Sequence, residues 1–81
     1  MDINSFIEKI ENEFDFIVKG TLKPETDYRE LQQWGSMQAL ILMALIVTDY
    51  KIVVTGGEIV KCNTISELYH LVESKLKNAA I

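Results

Sequence analysis

Trp34-Gly35-Ser36-Met37-Gln38-Ala39-Leu40 opens an apolar run over residues 40–47. The serine stands where a loop gives way to a helix. Serine is a favoured N-cap, because its hydroxyl can accept from a backbone N–H of the first turn. The same helix end gathers unpaired N–H groups and partial positive charge, which suits an attached phosphate. Ser36 is thus either a plain cap or the point of attachment for a phosphorylated group. The helix that follows, from Ser36 to about Tyr50, carries Leu40, Met43, Ala44 and Val47 on one face and Ile41, Leu45 and Thr48 on another. A helix apolar nearly all round is either central or offers a greasy face to a partner.

Outward from this helix, the first segment reads as another. Ile3, Phe6, Ile7, Ile10, Phe14 and Ile17 follow three-and-four spacing, which predicts an amphipathic helix over residues 2–18. Asp2 or Asn4 can cap it, and Glu8, Lys9, Glu11, Asn12 and Glu13 fall mostly on the polar side. Phe16 and Val18 widen the stripe, and Gly20 stands where helices commonly stop. Residues 21–35 form a long polar connection containing the only proline, Pro24. Tyr28, Leu31 and Trp34 recur every three residues and are expected to pin this loop to the core. For Trp34, burial is a stronger expectation than ligand stacking.

Residues 50–62 allow two readings. Lys51-Ile52-Val53-Val54-Thr55, Gly56-Gly57 and Glu58-Ile59-Val60-Lys61 fit a hairpin with a glycine turn, which the local pattern slightly favours. The alternative is an extended loop followed by a short helix over residues 57–61. An isolated hairpin among helices is only marginally stable. Thr64-Ile65-Ser66-Glu67 is a capping box, and Ile65, Leu68, Leu71, Val72 and Leu76 continue it as a helical stripe. Lys75 and Lys77 complement the dipole of this last helix, and residues 78–81 are expected to fray.

The chain has 81 residues, enough for one small domain over 1–81, with 48% hydrophobic and 25% charged residues. A net charge of −4 leaves no basic stripe for nucleic acid. Cys62 is the only cysteine, so no internal disulfide can form; a packed thiol in a reducing compartment is expected. The acidic, amphipathic N-terminus is unlike a signal peptide, and the apolar run is too short to span a bilayer. These features predict a soluble cytoplasmic protein.

Catalytic constellations are sparse. His70 is the sole histidine and falls inside the last helix, where a surface position is more expected than a general base. A Ser36–His70 pair has no orienting acid signalled and no Gly-x-Ser-x-Gly elbow. Gly56-Gly57 is too short for a phosphate-cradling loop, and no acidic spacing matches a calcium loop. The chain does not read as an enzyme.

The order of elements and the position of Ser36 together resemble the acyl carrier protein family. In that family a serine opening the second helix, usually within Asp-Ser-Leu, carries 4′-phosphopantetheine. Gly35-Ser36-Met37 is similar to that triplet, Leu40, Leu42, Met43, Ala44 and Leu45 to the aliphatic second helix, Tyr50 to the aromatic after it, and Ile52 to Val54 to the loop beyond. Thr64-Ile65 resembles the start of the last helix, with the spacing from Ser36 in register.

The resemblance covers essentially the whole chain. It implies an all-α, four-helix bundle of the acyl-carrier type, with three longer helices and a short third one in place of the hairpin. It further implies a carrier, not an enzyme, most simply a monomer. A magnesium-dependent phosphopantetheinyl transferase would modify Ser36, and the arm would then hold acyl groups as thioesters. Acyl-activating, acyltransferase or synthase enzymes would be its partners. Met37, Leu40, Ile41 and Leu45 would form the docking face, and Ile52, Val54, Ile59 and Val60 would shelter the acyl chain. Gly35 replaces the family's aspartate, and Gln38, Ile41, Ile46, Val47 and Thr48 replace acidic positions, leaving Asp49. That pattern suits a specialised carrier serving few matched enzymes in lipid or secondary-metabolite biosynthesis. The competing expectation is a carrier-like helical interaction module in which Ser36 only caps and the apolar helix binds a protein or a second copy.

Overall fold

A computed structural model describes residues 2–79. Among these the regular elements are all helical: α1 (Ile3–Glu13), a 3₁₀ turn (Tyr28–Glu30), α2 (Ser36–Tyr50), α3 (Gly56–Lys61) and α4 (Ile65–Ala79). α1 packs against α4 and α2, and α2 packs against α3, giving a small four-helix bundle. Phe6, Ile7 and Ile10 from α1 meet Leu42 and Ile46 of α2, Ile59 of α3, and Ile65, Leu68 and Val72 of α4 in the core.

α1 starts where expected, with Asp2 Oδ1 accepting from Ser5 N at 2.8 Å. It ends at Glu13, five residues short of the periodic stripe, because Phe14 turns extended. The turn lets Phe14, Ile17 and Leu22 all reach the core from non-helical backbone. Glu11, expected on the polar side, is buried instead, and its Oε2 accepts from Gly20 N at 2.9 Å and Leu22 N at 3.0 Å. These two bonds offer the backbone a competing partner to a further helical turn. Gly20 therefore adopts its left-handed φ of 87° within this loop, not as the stop of α1.

The connection to α2 is ordered by the anchors that the sequence marks. Tyr28 is fully buried, and its Oη donates to the C-terminal carbonyls of α3, 2.7 Å from Ile59 O and 2.8 Å from Cys62 O. Trp34 is half-buried, with its ring 5.2 Å from Tyr28 and 5.7 Å from Phe14. The carbonyls of Thr26 and Pro24 receive Ile65 N at 3.1 Å and Ser66 N at 2.8 Å, tying the same loop to the start of α4. Orphan groups at both helix ends are thereby satisfied by one connection.

The hairpin does not form. Residues 51–55 form neither helix nor strand, and Thr55-Gly56-Gly57-Glu58 is a second capping box. Thr55 N donates to Glu58 Oε1 at 2.9 Å, and Glu58 N to Thr55 Oγ1 at 3.2 Å. This reciprocal pairing starts α3 and outweighs the β-propensity of the preceding valines. The capping box of α4 is present as read, between Thr64 and Glu67. Tyr69 joins the core of α4, whereas Leu71 is only half-buried. Asn78 is still helical; of the fraying segment, Ala80 and Ile81 lie outside the described residues.

Candidate functional site

α2 fixes the site, and its buried ridge is Leu42 and Ile46, on neither of the faces expected from its sequence. With apolar residues all round, the helix carries no internal signal of which stripe turns inward. Leu42 and Ile46, four apart, are selected by the neighbours they meet. Ile41, Met43 and Leu45 flank them half-buried, while Ala44 and Val47 are exposed.

At the start of α2, the N-cap is Gly35, not Ser36. Gly35 has extended backbone (φ −161°, ψ −169°) and offers no side-chain cap. Ser36 is the first helical residue and is exposed, and among the described residues no side-chain hydrogen bond engages its Oγ. The plain-cap reading of this serine is thereby corrected: capping needs the non-helical position one residue earlier. The first intrahelical bond is Ala39 N to Gly35 O at 3.1 Å. The N–H groups of Ser36, Met37 and Gln38 precede it and have no acceptor within the helix. No acidic residue stands in this first turn, so the positive end of the helix dipole is uncompensated beside a solvent-facing hydroxyl. Such a hydroxyl can accept a phosphoryl group, and the end of α2 can stabilise the charge this introduces.

The residues expected to form a docking face fall into two settings. Met37 and Leu40 stand out in solvent, 68% and 62% exposed. Ile41 and Leu45 instead line a shallow groove of about 410 Å³ with Ala44 and Thr48, edged by Glu13 and Asp49. Asp49 also pairs with Lys9 of α1 at 3.4 Å. The residues expected to shelter an acyl chain are likewise divided. Ile52, Val54 and Ile59 are packed into the core, whereas Val60 is 66% exposed on the outer side of α3. Val60 is therefore not brought together with the other three.

A separate cleft of about 260 Å³ opens between the two halves of the α1–α2 connection, just ahead of Ser36. Ile17 and Leu22 form its floor, Phe16 and Leu31 its half-buried walls, and Gln32 and Gln33 stand at its edge.

Other titratable groups serve the scaffold. His70 is exposed on α4 and stacks edge-on against Tyr69, with no hydrogen bond to Ser36 among the described residues. Burial, reinforced by Glu67 and Glu58, pushes the Cys62 thiol up, which disfavours the reactive thiolate. Burial likewise raises the Tyr28 phenol, keeping it a donor to the α3 carbonyls. Tyr50 Oη is buried without a hydrogen-bond partner among the described residues, while its ring meets Phe6 and lies under Lys9 Nζ at 5.4 Å. Burial and then Asp49 raise its pKa. No described helix is long and apolar enough to cross a membrane.

Sequence reasoning overlooked two residues that shape the site's surroundings. Glu58 was legible: Thr55 and Glu58 repeat the spacing of Thr64 and Glu67. Glu11 had a fainter signal, since it falls between Ile7 and Phe14 on the helical stripe, where a buried residue is due. Comparison of the chain with models of protein families, with curated proteins and with solved structures returns no match, so the functional reading rests on the residues and their geometry.

Proposed function

We propose that this chain is a carrier protein of the acyl-carrier type, modified on Ser36 by 4′-phosphopantetheine. One observation carries the proposal: an unengaged serine hydroxyl at the first position of a 15-residue helix whose N-cap supplies no side chain. The residues present fit the group, because the first-turn N–H groups and the helix dipole favour a phosphodiester there. In the modifying reaction Ser36 Oγ attacks the β-phosphorus of coenzyme A. The new Oγ–P bond replaces the pyrophosphate linkage, adenosine 3′,5′-bisphosphate leaves, and the serine proton passes to a base of the transferase.

The arm, when attached, supplies a thiol on which acyl groups are held as thioesters. The chain's own part is presentation. Ser36 stays accessible because Tyr28, Trp34 and the loop carbonyls hold the preceding segment against the bundle. Tethering raises the effective concentration of the acyl group for a visiting enzyme. Met37, Leu40, Ile41 and Leu45 offer that enzyme an apolar surface with few charges, in keeping with a specialised pathway and matched acyl-activating, acyltransferase or synthase partners.

Intact-mass measurement after incubation with a broad-specificity phosphopantetheinyl transferase, magnesium and coenzyme A tests this directly. The expected result is the gain of one phosphopantetheine, lost completely in Ser36→Ala. Absence of any gain with several transferases would sink the carrier reading. The exposed Met37, Leu40 and Val47 favour the second reading, a helical interaction module. That reading expects no modification and a dimer or complex weakened by Leu40→Gln.

A further inference from the structure

Resting on the modification of Ser36, we propose that the cleft between residues 16–22 and 31–33 receives the carried acyl group, and that it selects a short, uncharged one. The occupant is argued from the tether. Gln33 at the cleft edge is three residues from Ser36, a span of no more than about 11 Å of chain. This is shorter than an extended pantetheine arm, so the arm can fold back over Trp34 and place its end there.

The core residues expected to shelter the chain offer no such entry. Ile52, Val54 and Ile59 are closed against their neighbours, and admitting a chain among them would require parting the bundle. The cleft is already open, and it is walled by non-helical backbone on both sides.

Its lining sets the chemistry. Ile17, Leu22, Phe16 and Leu31 supply apolar surface, and no charged side chain lines it. A carboxylated acyl group would find no cation there, only neutral donors to offset its desolvation. Gln32 and Gln33 add amides that can both donate and accept, so a hydroxyl, keto or amide substituent can be met at the edge. At about 260 Å³ the space lies below the roughly 300–1,000 Å³ of pockets that take drug-sized ligands, which favours a short acyl group over a long one.

The test compares full-length protein carrying butyryl-, malonyl- or dodecanoyl-pantetheine with protein carrying pantetheine alone, each loaded from the corresponding coenzyme A thioester. Methyl and amide NMR shifts are the readout. Butyryl is expected to move the Leu22 and Leu31 methyls and the Gln32 and Gln33 side-chain amides, leaving Ile52, Val54 and Ile59 in place. Malonyl and dodecanoyl are expected to leave the cleft signals at their pantetheine positions. Val18→Trp, on the exposed rim, should abolish the butyryl-dependent shifts while the protein remains folded and modified. Shifts centred on Ile52, Val54 and Ile59, or none at all, in a protein whose mass confirms loading would overturn the cleft assignment alone. Equal cleft shifts with malonyl would overturn its selectivity for uncharged groups. A chain that gains no mass at Ser36 would overturn both this inference and the carrier reading beneath it.

Discussion

At the end of α1 a single carboxylate oxygen accepts from Gly20 N and Leu22 N, and so fixes where the chain goes after leaving the helix. Glu11→Ala would leave both N–H groups without their acceptor, one of them buried. Hydrogen bonds to charged groups are worth about 1.5–3 kcal/mol, so a loss of about 2 kcal/mol is expected in chemical denaturation. Glu11→Gln keeps an acceptor oxygen and should lose less. Amide exchange should accelerate first at Gly20 and Leu22, and unchanged exchange there would refute the anchoring role. Lys51 is a second informative residue, a lysine in the left-handed region (φ 59°) closing α2. That conformation costs a side-chain-bearing residue roughly 1–2 kcal/mol, partly offset in glycine by its greater unfolded entropy. Lys51→Gly should therefore raise stability by about 0.5–1 kcal/mol, read as a higher denaturation midpoint with an unchanged slope.

α3 shows how an element this short is sustained. Its six residues cannot nucleate alone. The Thr55–Glu58 box closes its start, Tyr28 Oη takes its last carbonyls, and Glu58 bridges to Lys75 of α4 at 2.9 Å. The backbone bond from Thr55 and then Lys75 hold the Glu58 carboxyl below its ordinary value of 4.5. A carboxyl with a depressed folded pKa takes up protons on unfolding, so its contribution is full above its unfolded pKa. That contribution is lost as pH falls through the folded one. Stability should thus drop on acidification below about pH 4.5, and Glu58→Gln should flatten that part of the profile. An identical acid limb in the variant would assign the loss to other carboxylates. The same element explains a misreading: a run of β-branched residues and a glycine pair argue for a hairpin, but a threonine and a glutamate three apart decide the outcome.

For the molecule as a whole, the legible parts of the fold are those written in local chemistry. The capping box at Thr64 and the start of α1 at Asp2 satisfy groups within three residues. The spacing of Tyr28, Leu31 and Trp34 marks anchors even though Tyr28 bonds α3 at a distance along the chain. They could be read without knowing the bundle. The early end of α1 and the inward ridge of α2 could not, because both are settled by distant partners. Phe14 leaves the helix to meet Trp34, and Leu42 and Ile46 turn inward into the core beside α1 and α3, the helices that pack against α2. The candidate site divides in the same way. Ser36 could be placed at a helical threshold from sequence alone, but that Gly35 takes the cap and leaves the hydroxyl unengaged depends on backbone angles. The side chains around it follow packing. Of the residues grouped as an acyl shelter, core packing claims Ile52, Val54 and Ile59 and leaves Val60 outside.

Glu11 grips main chain, not side chains, and that has an engineering consequence. Lys19 lies outside the grip and is exposed, so its identity can be randomised as a display site. Segment length is the variable to hold constant: an insertion between Gly20 and Leu22 would carry one amide out of reach of the oxygen they share.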